Sequence, residues 1–308
     1  MRVFLIRHGE TVDNVANVYG GSRDSELTNH GVQQATRLGQ HFAASDVRFT
    51  HILSSQLRRA VKTAELVRAA QPEVRDARNN VVSPVVMQLS ELAEQDFGSY
   101  EGVSFLARQS PNKASGKGPQ RTVDKNDPGF VDMESKESMQ RRADAFLEQH
   151  LVPLVRKEAA MSPTVAVVSH GVILSVLWRR LRSRLPSGSV TLHPEVVTKY
   201  GPVDVEKLGG WSNTGYLEMN ISYKPMPISV PGTMTSESAK AKETMSALAA
   251  DRPVTSNALE GWSVTVCAVN SRHHLVGLKR TGGGVGSAPH DDKQQRIDAF
   301  VKRRKVEQ

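Results

Sequence analysis

Uninterrupted apolar runs of four or five residues alternate along this chain with stretches whose apolar positions recur every three or four residues. The first run, residues 2–6, is rich in branched side chains and has no polar interruption beyond its first position, so it predicts a strand buried on both faces. Thr28 is placed to cap a helix on which Val32, Ala35, Leu38, Gly39 and Phe42 share one face. Residues 49–53 predict a second strand, and Ser54 and Ser55 the opening of a helix with the buried stripe Leu57, Ala60, Val61, Ala64, Leu66 and Val67. Residues 85–89 predict a third, short strand. Strands alternating with amphipathic helices predict a three-layer α/β/α sandwich with a mostly parallel central sheet.

The rhythm breaks where Gly, Pro, Lys and Asp crowd together, so an insertion is placed at about residues 103–135. A long helix over 138–158 is predicted next, with Phe146, Leu147, Leu151, Leu154 and Val155 as its buried stripe and Pro153 bending it. Strand and helix recur at 165–168 and 172–181, where Arg179, Arg180 and residues 181–184 read as the polar side and end of the helix. The alternation Tyr216, Leu217, Glu218, Met219, Asn220, Ile221 predicts a strand near the edge of the sheet, and residues 263–269 a further one. Between them lies a second insertion, 224–255, rich in Pro, Ser, Thr and Ala, with a short helix at 237–250. The organisation read from this pattern is one domain over 1–270 and a basic, largely flexible tail over 271–308.

Composition narrows the class. Cys267 is the single cysteine, which excludes an intrachain disulfide and a cysteine zinc cluster, and a reducing, cytoplasmic setting is expected. The apolar run after Met1 is too short for a signal peptide or a bilayer span, so a soluble protein with no membrane partner is expected. The net charge of +8 is concentrated in part at residues 293–305; it favours anionic partners without choosing among them, and direct nucleic-acid binding is not expected.

The chemistry lies where two apolar runs stop. Residues 3–6 run into Arg7, His8, Gly9 and Glu10, and residues 165–168 into Ser169, His170 and Gly171. Open α/β sheets place sites just beyond the carboxyl ends of their strands. A phosphate ester needs a nucleophile, neutralisation of its equatorial oxygens and a proton for the leaving alkoxide. A neutral His8 can attack while its other ring nitrogen donates to a backbone carbonyl. Arg7 and Arg59 can neutralise the oxygens, with Arg58 the natural competitor of Arg59, and a protonated His170 can add a donor. Gly9 and Gly171 are read as permitting close backbone approach. No metal and no cofactor is required, since arginines and histidines supply the positive charge.

These residues resemble the histidine phosphatase superfamily, also called phosphoglycerate mutase-like, whose signature R-H-G-E-[ST] is matched by Arg7 to Thr11. Asn14 and the segments 24–31, 54–64, 92–102 and 169–171 follow in the family's order, so the resemblance covers roughly residues 2–221. It implies that His8 becomes the phosphohistidine, that Arg7, Arg59, His170 and Gly171 form the phosphate pocket, and that Asn14 adds a donor unless it only caps a turn. It also implies that Glu94 protonates the leaving oxygen and then activates water; Glu91, Asp96 and Glu101 stand close enough in sequence to compete. The basic insert of the cofactor-dependent mutases has no counterpart at 103–135, where Lys113, Lys117 and Arg121 form a looser cluster, so hydrolysis of a small phosphorylated metabolite or a phosphoprotein is favoured. A mutase, or a catalytically idle interaction module in a nuclear complex, remain as alternatives.

The tail adds a separate expectation. Gln294, Ile297 and Phe300 resemble the peptide by which proteins dock on the replication sliding clamp, with Val301 in place of the second aromatic; a tail helix packing on its own domain is the competing reading. Residues 302–305 are of the type read by nuclear import receptors, so a nuclear location is also open.

Overall fold

The computed structural model describes residues 1–75, 81–82, 84–105, 123–156, 163–201, 203–223 and 259–291. At its centre is β1 (Arg2–Arg7), followed in chain order by α1 (Val12–Ala16), α2 (Asn29–Ala44), β2 (His51–Ser55) and α3 (Arg58–Ala69). A two-stranded ribbon, β3 (Val74–Arg75) and β4 (Val81–Val82), precedes β5 (Val86–Leu89). Then come α4 (Lys136–Phe146), β6 (Thr164–Ser169), α5 (Gly171–Ser183), β7 (Val190–Leu192), α6 (Pro194–Tyr200), β8 (Tyr216–Tyr223) and β9 (Trp262–Ser271).

Seven strands form one sheet in the order β5-β2-β6-β1-β8-β9-β7. All neighbours pair in parallel except at β8, which runs against both β1 and β9. The two-residue period of a strand divides the core into two layers. Val3, Leu5, Val165 and Val167 join Phe146, Leu174 and Trp178 on one face, while Phe4, Ile6, Ala166 and Val168 join Leu38, Phe42, Ala64 and Val67 on the other. The fold is the expected three-layer sandwich, and the uninterrupted apolar runs are uninterrupted because both faces are covered. Thr28 caps α2 through its hydroxyl, which accepts from the amide of Gly31 at 2.9 Å.

Several elements differ from the sequence reading. The second strand lies two residues later than predicted and includes Ser54 and Ser55, which pair with Gln88 and Leu89; α3 opens after Leu57 with no side-chain cap. Flanked by strands on both sides, these serines gain ladder hydrogen bonds that outweigh their preference for a helix start. The strand read as near an edge, β8, is interior, between β1 and β9, and the outer position belongs to β7, whose three residues are too few for a periodic signal. Ahead of Pro153 the long helix widens into a π turn over Leu147–Leu151, with the amide of Val152 bonded to the carbonyl of Leu147, which absorbs the missing proline donor without a break. Residues 272–291, assigned to a flexible tail, are packed against α2: Pro289 bridges to Thr28, and the amide of His290 donates to the carbonyl of Leu27 at 2.9 Å. The predicted helix at 237–250 lies outside the described residues.

Candidate active site

The register Arg7↔Ser169 between β1 and β6 places the two histidines that follow side by side, with ring centroids 5.0 Å apart. The His8 amide donates to Ser169 at 3.0 Å, and the single amide of Thr214 donates to both Arg7 (3.0 Å) and His8 (3.1 Å). Thr214 holds a φ of 55°, uncommon for a β-branched residue, in the turn that leads into β8.

His8 is 4% exposed, and its Nδ1–H donates to the carbonyl of Gly9 at 2.7 Å, so the lone pair resides on Nε2. Burial, then the charges of Arg59 and Arg7, push its pKa well below the ordinary histidine value, against the opposing Gly9 bond. It is a neutral imidazole with a fixed tautomer. His170 is fully buried, accepts from Arg59 Nε at its Nδ1 (3.1 Å), and donates from Nε2 to Ser55 Oγ (2.8 Å). Its pKa too is driven well below the usual range, by burial and then by Arg59. The protonated His170 expected from the sequence is therefore corrected to a neutral ring, because the arginine beside it opposes a second charge.

The two arginines separate clearly. The side chain of Arg58 is 74% exposed and pairs with Asp24 at 3.3 Å, whereas Arg59 is 2% exposed beneath the site. Beyond His170, Arg59 donates to the carbonyls of Arg23 (2.6 Å), Gly20 (3.1 Å) and Gly21 (2.7 Å). Of five guanidinium N–H groups, at most one remains for an anion. Arg59 thus holds the loop at 20–23 and orients His170, where the sequence suggested a free fork. Arg7 differs: Nη1 donates to the carbonyl of Trp211 at 2.6 Å, but Nε is buried without a hydrogen-bond partner. Its pKa is lowered by burial, with Glu94 opposing.

Glu94 sits at the N-terminus of α5. Its Oε1 accepts from the amides of Gln95 (3.0 Å) and Ile173 (3.1 Å), and its Oε2 from Val172 (3.2 Å). It is the foremost carboxylate acting on both Arg7 and Arg59. Its competitors also carry hydrogen bonds: Glu101 accepts from the amides of Gly21, Ser22 and Phe97, Asp96 from that of Gly98, and Glu91 from Ser90 Oγ at 3.3 Å. The loop carrying Glu94 is tied down by Arg142, whose guanidinium donates to the carbonyls of Glu91, Ala93 and Glu94 and to both oxygens of Glu134. Glu94, Asp96 and Arg142 line a cavity of about 420 Å³ together with Ser22, Gln56 and Leu57.

Asn14 does cap a turn: with Thr11 it forms a reciprocal capping box, and its Oδ1 also accepts from Asn213 at 2.9 Å. These side-chain bonds use its oxygen, leaving the amide nitrogen for a ligand. A Cβ at Gly9 would stand 2.6 Å from the carbonyl oxygen of Gly31, so close backbone approach is real there. At Gly171 it would meet only Arg7 Nε, at 3.9 Å, and crowding does not demand glycine. The site roles of Ser55, Thr214, Asn213 and Arg142 were not legible in the sequence; only the turn-forming Ser-Asn-Thr-Gly at 212–215 offered a local signal. Lys113, Lys117, Arg121, Gln294, Ile297 and Phe300 lie outside the described residues. Among the described residues no cluster of His, Cys, Asp or Glu is placed to hold a metal, and no helix is long and apolar enough to cross a membrane.

Residues 3–195 match the profile of the histidine phosphatase superfamily, branch 1. Across 300 residues, 96% of this chain and 78% of the relative, the chain is 27% identical to a protein of Schizosaccharomyces pombe named a probable phosphatase. It is 32% identical over 181 residues, 58% of this chain and 73% of the relative, to a probable phosphoglycerate mutase, GpmB, of Erwinia tasmaniensis. A solved structure titled mycobacterial hydrolase 1 shares the fold with a TM-score of 0.53 at 18% identity, covering 88% of this chain and 98% of that one.

Proposed function

The chain belongs to the histidine phosphatase superfamily, whose chemistry passes through a phosphorylated histidine, and from that premise we propose that it hydrolyses phosphate monoesters with His8 as the nucleophile. The observation that carries this reading is a neutral, tautomer-fixed His8 beside a buried Arg7 Nε–H that lacks a partner. An unpaired buried donor of this kind is costly unless an anion completes it. His8 Nε2 attacks phosphorus, the bond to the leaving oxygen breaks, and Glu94 delivers the proton that oxygen needs. Glu94 then takes a proton from water as the water oxygen attacks phosphohistidine, and His8 regains its lone pair as inorganic phosphate leaves. Arg7, the amide nitrogen of Asn14, the remaining Arg59 donor and the first-turn amide of Gly171 are the groups we assign to the phosphoryl oxygens, with His170, whose one N–H is given to Ser55, holding Arg59 in place.

Hydrolysis is favoured over mutase chemistry because residues 103–135 lack the basic insert of the cofactor-dependent mutases. The convergence of Arg7, Arg59 and His170 around His8 argues against an idle interaction module. The substrate class in this reading is a small phosphorylated metabolite or a phosphoprotein. Sliding-clamp docking through Gln294, Ile297 and Phe300, and a cytoplasmic and nuclear location, belong to the proposal on sequence grounds alone. The test is turnover of p-nitrophenyl phosphate by wild type and His8→Ala, with trapping of acid-labile phosphohistidine. A loss of about a thousandfold and of the trapped phosphate is expected; equal turnover in the two proteins removes the reading.

A further inference from the structure

Glu10 follows the nucleophile by two residues, and its carboxylate is nearly enclosed, with the residue 9% exposed. One oxygen accepts from Thr28 Oγ1 at 2.9 Å. Its charge partner comes from the far end of the chain: Arg280 Nη1 donates to the same oxygen at 2.8 Å, and Nη2 pairs with the other. Arg280 lies beyond the residues matched by the family, in the segment that follows β9. That segment is pinned along its length, by Thr214 on His274 (2.9 Å), by Arg37 on the carbonyl of Val276 (3.0 Å) and by Asn29 on that of Val285 (2.9 Å).

The peptide between Gly9 and Glu10 links this ion pair to the chemistry. Its carbonyl receives the Nδ1 proton of His8, and its N–H donates to Gln34 Oε1 at 3.0 Å. The orientation of that one peptide plane therefore decides which imidazole nitrogen carries the lone pair. A carboxylate this enclosed is costly without a matching cation. Deprived of Arg280, Glu10 retains one side-chain hydroxyl donor and gains by turning toward water, which tilts the Gly9–Glu10 peptide away from His8.

We propose that Arg280 is a positioning residue for His8: by holding the Glu10 carboxylate in a two-pronged ion pair, it orients the Gly9 carbonyl that fixes the imidazole tautomer. Arg280 touches no reacting atom, so its contribution falls on kcat and leaves substrate affinity in place. The inference rests on the His8 reading above, and its test has a readout independent of turnover. In the full chain, Arg280→Gln is expected to lower kcat for p-nitrophenyl phosphate about tenfold with KM nearly unchanged, while Arg280→Lys recovers part of the loss. Ring ¹⁵N spectra of His8 are expected to show a neutral ring protonated at Nδ1 in wild type and a mixture of tautomers in Arg280→Gln. Arg37→Ala, which loosens the same segment without touching Glu10, is expected to leave both readouts at wild-type values. Unchanged kcat and unchanged His8 spectra in a folded Arg280→Gln protein overturn the proposal, as does an Arg37→Ala protein with the same defects. An inactive wild type whose His8 spectrum still responds to Arg280→Gln removes the phosphatase reading and leaves the positioning intact.

Discussion

At the scale of single residues the site combines groups that one environment has pushed in a common direction. His8 and His170 are both neutral because burial and two arginines oppose their protonation. A nucleophilic imidazole acts in its neutral form, so the acid limb of kcat/KM is expected below 6.5, the ordinary histidine value, and a pH–rate profile measures it. An acid limb at or above that value would contradict the assignment of His8. His8 and Arg7 were legible in the sequence because strand ends announce themselves by where the apolar run stops. The choice of Arg59 over Arg58 came from the resemblance, and the structure gives its physical basis in burial. That Arg59 points most of its donors at loop carbonyls was not legible, since those carbonyls belong to residues 36 to 39 positions away.

At the scale of elements, the loop that carries His8 and the start of α2 approach each other backbone to backbone. A side chain at Gly31 would collide with the carbonyl of Glu10, and one at Gly9 with the carbonyl of Gly31. Gly31→Ala is expected to cost about 2 kcal/mol or more in urea unfolding, since neither colliding group can rotate away. A change near zero would show that the two loops can separate freely. Arg142 holds the Glu94 loop at three carbonyls, and Arg142→Met should loosen it: the expected outcome is a fall in kcat of about tenfold or more in a protein that remains folded by circular dichroism. Turnover equal to wild type would show that Glu94 keeps its place without Arg142. Elements with a long period, such as α2 and α3, were legible in the sequence, whereas β7 and the boundary of β2 were not. The first is three residues long, and the second depends on partners on either side.

The whole molecule adds the segment after β9 to the domain. His274 is buried against Thr214 and Tyr216, and burial lowers its pKa to about 3. The unfolded chain binds this proton below about 6.5 while the folded chain refuses it until about 3, so the stability associated with neutral His274 is complete above that window and is lost as pH falls through it. His8 and His170 act in the same sense. Thermal unfolding across a pH series is expected to show a shallower acid decline for His274→Gln than for wild type. Parallel declines would mean that His274 is protonated in the fold.

The sequence by itself determined the sandwich and the two histidines at the ends of its central strands, because burial on two faces and strand-end placement are local properties of a chain, and its ordered motifs carried the resemblance to the family. Only the tertiary structure decided that β8 is interior, that His170 is neutral and that Arg280 closes on Glu10 across 270 positions. These depend on which charges and strands become neighbours, and local apolar periodicity does not specify those neighbours.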